Sequence, residues 1–435
     1  MKFRKLGRAT LAAVLSLGVA AVLGACGATG TNDTVDYVYV TNTKNTPGQI
    51  NVYDADGDSG ALHQIPDSPY PSGGSNPVAL VTSPNFKYLY VVNNGQGGSA
   101  GSGIVEFGIG TDAKLYAQHT YQGPAGSSLS LPNGVAINTA GTLLFVTYTF
   151  ILGNGSTSNP SSGALVVYPI NSDGSLGTPV VNGSLPYYPL STGTDILNPI
   201  AVNVLTQNPG NSTTAGGTFV YVVSQNSTTA LGSISAFSVA SSGALTYLPC
   251  SSSTATCDAS GNGTYIAGAS PNAIASTPLG LYLFVTDSAR NQLLSYTVQS
   301  SGQIIATPAS PTNTDVFPDS VTVEPHGEYV YVANYAANNV GAYAIKLATN
   351  SSPFALVPVS TYGTGTGPTC VFVEPALGSY VYTTNFLDNT VSGLNLNLGT
   401  GALAPVQDTP FIAAGQPTCI AATPHKNHPP ITSAD

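Results

Sequence analysis

Three features of this 435-residue chain predict an all-β ring. A short Tyr/Val-rich strand recurs seven times, an apolar strand opened by Pro accompanies it, and a Gly-x-Leu turn marks the last hairpin of several copies. A unit repeated every few tens of residues cannot bury its apolar faces alone, so it stacks on its neighbours. The expected fold is a seven-bladed β-propeller with four antiparallel strands per blade.

The recurring strand occupies Tyr37–Asn42, Tyr88–Asn93, Leu143–Tyr148, Phe219–Ser224, Tyr282–Asp287, Tyr329–Asn334 and Tyr380–Asn385. Its alternating Tyr and Val put bulky groups on both faces, which suits a strand packed between adjacent sheets. The innermost strand is opened by Pro, as at Pro77 and Pro318, and a third strand such as Asn339–Ile345 follows the Tyr-strand. Gly60-Ala-Leu62, Gly174-Ser-Leu176, Gly243-Ala-Leu245 and Gly401-Ala-Leu403 introduce the fourth. Asn at the end of a Tyr-strand (Asn42, Asn93, Asn334, Asn385) is a turn residue that bonds its own backbone.

The chain begins at a Tyr-strand and ends at a Pro-strand, Pro417–Pro424. N- and C-terminal strands therefore share one blade, which closes the ring and removes exposed edges. The expected division is a signal over 1–26, a tether over 27–36, the propeller over 37–424 and a flexible tail over 425–435. Ten tether residues reach at most ~35 Å. In this strand order the second-to-third and fourth-to-next-first connections share one rim. Long segments 149–163, 181–197 and 246–270 fall on that rim, and 205–218 on the other, which points to the first as the binding face.

The N-terminus reads as an export signal: Lys2, Arg4, Lys5 and Arg8 precede an apolar run from Ala9 to Ala25. Leu23-Gly24-Ala25-Cys26 resembles the lipobox of bacterial lipoproteins, which implies lipid on Cys26 and a place in the cell envelope. Gly27, in place of Asp, implies the outer membrane or cell surface. Without its signal the chain has six basic against twenty acidic residues, a net of −14, with Arg290 its one Arg. Nucleic acid is excluded as a partner for want of a basic footprint. Charged residues make up only 7% of the chain, a composition suited to an exported β-protein, and a monomer is expected. Cysteine parity agrees with export. Cys250 and Cys257 share one loop, and Cys370 and Cys419 hold matching positions in consecutive repeats. Two disulfides are expected.

The repeat resembles the YVTN type and the lactonase-like seven-bladed propellers related to 6-phosphogluconolactonase, over residues 37–424. In that family an innermost strand begins Gly-Pro-Arg-His and the next strand ends Asn-Glu, which implies a site for an anionic substrate. The matching segment here is Gly367-Pro368-Thr369-Cys370, followed by Asn385-Phe386. The frame is present but Arg, His and Glu are not. The corresponding positions in the other repeats are Val78, Asn133, Ile200, Asn272, Asp319 and Thr418. Hydrolysis of a lactone needs a group that titrates near working pH.

Asn133, Asn272, Asp319, Thr369 and Thr418 thus form a polar channel mouth fitted to a neutral polyol, carbohydrate or peptide segment. The first reading is an envelope-tethered binding platform without turnover. The alternative is a lactonase, a carboxylic ester hydrolase, acting on a sugar lactone with Asp319 as base and Asp287 next in line. A third is an envelope spacer. No cofactor or metal is expected. Asp54, Asp56 and Asp58 start like a calcium loop but Ile65 stands where it needs Glu, and His425 and His428 lack ligand partners for zinc.

Overall fold

The computed structural model describes residues 33–95, 101–124, 130–150, 163–191, 195–208, 216–227, 229–250, 256–258, 263–349, 351–425 and 428–431. The chain divides after Asp33, and the second unit, Thr34–Asp435, is the propeller. Cys26 and most of the loop over 149–163 lie outside the described residues.

Seven antiparallel sheets make the seven blades. From inside outward, blade 2 is Pro77–Thr82, Tyr88–Asn93, Gly103–Ile109 and Leu115–Tyr121. Blade 6 is Pro318–Val323, Tyr329–Asn334, Asn339–Lys346 and Ala355–Gly363. Blade 1 takes its inner strand, Pro417–Pro424, from the C-terminal end and the rest from Thr34–Asn42, Gln49–Asp56 and Leu62–Gln64. The expected closure is therefore the observed one. It starts three residues earlier than the Tyr-strand motif, because Val35 and Asp36 are buried strand residues as well.

The inner strands contact one another in an unbroken cycle, blade 1 to 2 and onward through blade 7 back to 1. Seven apolar clusters fill the seven gaps between adjacent sheets. Alternation explains how one strand serves two gaps: Val38 and Val40 join the cluster shared with blade 7, Tyr39 that shared with blade 2. All three are fully buried, and each Val side chain contributes ~1.5–3 kcal/mol of transfer free energy.

The fourth strand departs from expectation. In blades 1, 4, 5 and 7 it is broken into two short pieces on the same third strand, as with Leu403–Pro405 and Phe411–Ile412. In blade 3 the Gly174-Ser-Leu176 turn contributes a single bridge, Ile170 to Leu176, and the ladder's outer strand is Tyr188–Pro189. Outermost strands carry the fewest sheet contacts, so their pairing is the least constrained by the repeat.

Of the two expected disulfides, Cys250–Cys257 is formed. The second is open: Cys370 and Cys419 are thiols whose Sγ atoms lie 3.5 Å apart, against ~2.05 Å for a bond.

Candidate binding site at the channel mouth

Each inner strand slips register against its Tyr-strand just after the opening Pro. The slips fall at Val78, Asn133, Ile200, Asn272, Asp319, Thr369 and Thr418. A bulge places two residues opposite one and re-aims a side chain, so a repeated bulge puts one side chain per blade at the same height around the ring. These are the seven positions aligned in the sequence, and five of them carry the expected polar groups.

Most of those groups hold the next blade. Thr418 Oγ1 donates to Pro77 O at 2.8 Å, Asn133 Nδ2 to Pro199 O at 3.1 Å, and Thr369 Oγ1 to Pro417 O at 3.1 Å. Blade 2 has apolar Val78 at its bulge, and Asn94 supplies its bond instead, from Nδ2 to Pro132 O at 2.9 Å. The acceptors are the carbonyls of the opening prolines, which have no N–H to offer. Oγ1 of Thr369 also meets Oγ1 of Thr384, and Oγ1 of Thr418 that of Thr41, both at 2.9 Å.

Asn272 and Asp319 form the exception, a side-chain pair. Asn272 Nδ2 donates to Asp319 Oδ1 at 2.6 Å, and Ser288 Oγ reaches Asn272 Oδ1 at 3.4 Å and Ser270 O at 3.0 Å. Burial pushes the Asp319 carboxyl up to about 6, against the lowering effect of the Asn272 amide. That places a titratable group near neutrality at the mouth. Ser288 was invisible to sequence reasoning, because it sits one residue past a Tyr-strand and belongs to no motif.

Asp287 is arranged differently. It is fully buried, its Oδ2 accepts the Ala269 N–H at 2.9 Å and its Oδ1 the Ser270 N–H at 3.0 Å. Arg290 Nη1 stands 3.7 Å from Oδ2. These bonds fasten the loop that leads into the inner strand of blade 5. Asn42, Asn93, Asn334 and Asn385, at the same position in other blades, are likewise buried and bonded to loop or strand partners.

The remaining sequence candidates lie away from the mouth. Asp56 caps its turn through Ser59 N and Oγ at 2.9 and 2.6 Å, and Asp54 meets His63 at 3.2 Å. His425 and His428 line a cleft of about 420 Å3 with Tyr37, Phe86, Lys87 and Pro430. It lies at the other ends of the strands, where His425 stands edge-on to Tyr37 with ring centroids 5.6 Å apart.

The sheets define a class: this chain is a seven-bladed β-propeller, and part of it is similar to the lactonase-type propellers. The family model described as "Lactonase, 7-bladed beta-propeller" matches residues 252–373. A putative 6-phosphogluconolactonase from Bacteroides uniformis superimposes with a TM-score of 0.65 at 16% identity, covering 90% of this chain and 100% of its own. The periplasmic gluconolactonase of Pseudomonas aeruginosa gives 0.65 at 15% identity, covering 90% and 99%. A protein from Lactobacillus plantarum gives 0.63 at 16%, covering 90% and 99%. At such identities the likeness is one of fold. No curated protein sequence matches the chain significantly.

Proposed function

We propose that this protein is an exported, lipid-anchored propeller that binds a neutral polar ligand, a polyol or a short peptide segment, at the channel mouth without turning it over. The observation that carries the reading is the chemistry of the seven bulge positions, which offer two amides, two hydroxyls and one carboxyl and no cation. An anionic substrate has nothing there to pair with, and a lactone carbonyl has no charged group to polarise it. Hydrolysis of δ- and γ-lactones by the purified chain is expected to run at the spontaneous rate.

Asp319 supports the second reading, that of a lactonase. A partly exposed carboxyl with its pKa near 6 is suited to general-base work at neutral pH. Under that reading some lactone is hydrolysed with saturation, the rate rises as pH passes ~6, and Asp319→Asn abolishes it. Observing all three would replace the binding reading with the enzyme one.

The envelope location rests on the Leu23–Cys26 motif. Cys26→Ser is expected to move the protein from the membrane to the soluble fraction of cells. Unchanged partition would sink the lipid anchor while leaving the mouth's chemistry as it stands.

A further inference from the structure

We infer that Cys370 and Cys419 are a second disulfide site, closed in the folded protein by exchange with a small-molecule or protein disulfide. Cys370 lies in the inner strand of blade 7, Pro368–Val373, and Cys419 in that of blade 1, Pro417–Pro424. The bond from Thr369 Oγ1 to Pro417 O pins these strands side by side one or two residues from the sulfurs. Cys370 is buried and donates its S–H toward Cys419, which is partly exposed. The 3.5 Å contact stands ~1.5 Å from bonding distance.

The place matters more than the pair. Pro417–Pro424 is the one strand that joins its blade from the far end of the chain. Hydrogen bonds and packing alone hold it to Thr34–Asn42, across the seam that closes the ring. A bond between residues separated by 49 positions would restrict the free strand and tie it to blade 7. Under the export proposed above, the chain folds in a compartment that supplies an oxidant of the required class.

The step balances as a thiol–disulfide exchange. The Cys419 thiolate attacks one sulfur of the oxidant disulfide and expels the other as a thiolate. The Cys370 thiolate then attacks Cys419 Sγ and expels the second. One S–S bond forms as another is reduced to two thiols, and the two cysteine protons pass to solvent or to those thiolates. Accepting the S–H of Cys370 lowers the Cys419 pKa and raises that of Cys370, which makes Cys419 the first attacker.

The test uses purified protein with Cys250→Ser and Cys257→Ser, so that only this pair remains outside Cys26, incubated natively with oxidised glutathione. Two alkylatable thiols are expected to disappear without dimer formation, and peptide mapping should recover Cys370 joined to Cys419. The thermal midpoint should rise by several degrees, hydrogen exchange over 417–424 should slow, and reductant should reverse both. Cys370→Ala should stop at a glutathione adduct on Cys419 and lose the redox dependence of the midpoint. The site is overturned if both thiols stay alkylatable, or if the parent protein also halts at the adduct. An unchanged midpoint after full oxidation overturns its role at the seam.

Discussion

Asp36 shows what burial does to one side chain. It is fully buried at the start of its strand, beside Glu374 and the Ala376 backbone. Its polar neighbour is Glu374, which already accepts the backbone N–H groups of Ala376, Leu377 and Ser379 at 2.8, 2.8 and 2.6 Å. Two carboxylates cannot both ionise in one dry site, so Asp36 keeps its proton. Burial first, then Glu374, pushes it up to about 10 from 3.8. The sign follows from the raised folded value. The stability Asp36 contributes is complete below about pH 4 and is lost progressively as pH rises toward 10. Asp36→Asn keeps the shape and a donor for Glu374 without a titrating proton. It is expected to match the parent near pH 4 and exceed it by ~1 kcal/mol or more at pH 8, measured by denaturant unfolding at both. A gap that does not grow with pH would contradict the shared proton. Asp319 was legible in the sequence, being the carboxylate at an aligned bulge position. The Asp36–Glu374 pair was not, because strand closure alone brings the two together.

At the scale of elements, the two sequence signatures are halves of one contact. The second Tyr of the Tyr-strand reaches the next blade and donates to the Gly carbonyl of its Gly-x-Leu-type turn. The pairs are Tyr90 with Gly174, Tyr221 with Gly302, Tyr331 with Gly401 and Tyr382 with Gly60, at 2.7, 2.7, 3.1 and 2.9 Å. The ring that opens the strand covers the same glycine. A Cβ on Gly60, whose φ is +71°, would stand 2.3 Å from Tyr380 Cδ1. Blade 2 has Ala113 at this turn with φ 61°, and there Tyr39 of blade 1 pairs with Thr423 instead. Tyr382→Phe should cost ~1–3 kcal/mol by leaving a buried carbonyl unpaired. Gly60→Ala should cost ~2–4 kcal/mol, from the left-handed backbone and the overpacked ring together. Chemical unfolding of both variants checks the order. A Gly60→Ala protein as stable as the parent would break the argument. The sequence displayed both motifs, but not that they touch, since each lies in a different repeat from its partner.

For the whole molecule, closure decides stability. Every inner strand is a neighbour of two others, and blade 1 is completed only by Pro417–Pro424. Deleting 417–435 would leave Thr34–Asn42 with unpaired backbone along one edge and open the cluster that holds Val38, Val40 and Ile420. An exposed, apolar, strand-forming edge recruits other chains. The truncated protein is expected to elute as oligomers or aggregate, and an intact monomer on size exclusion would show that the seam is dispensable. Alone, the sequence determined the blade count, the closing strand and the aligned mouth positions, because they follow from periodicity, alternation and Pro or Gly placement, which are local. Only the tertiary structure decided that the mouth's polar groups mostly bind neighbouring blades, that Ser288 joins Asn272 and Asp319, and that Asp36 meets Glu374. Those outcomes depend on which repeats become neighbours and on burial, which a linear pattern does not encode.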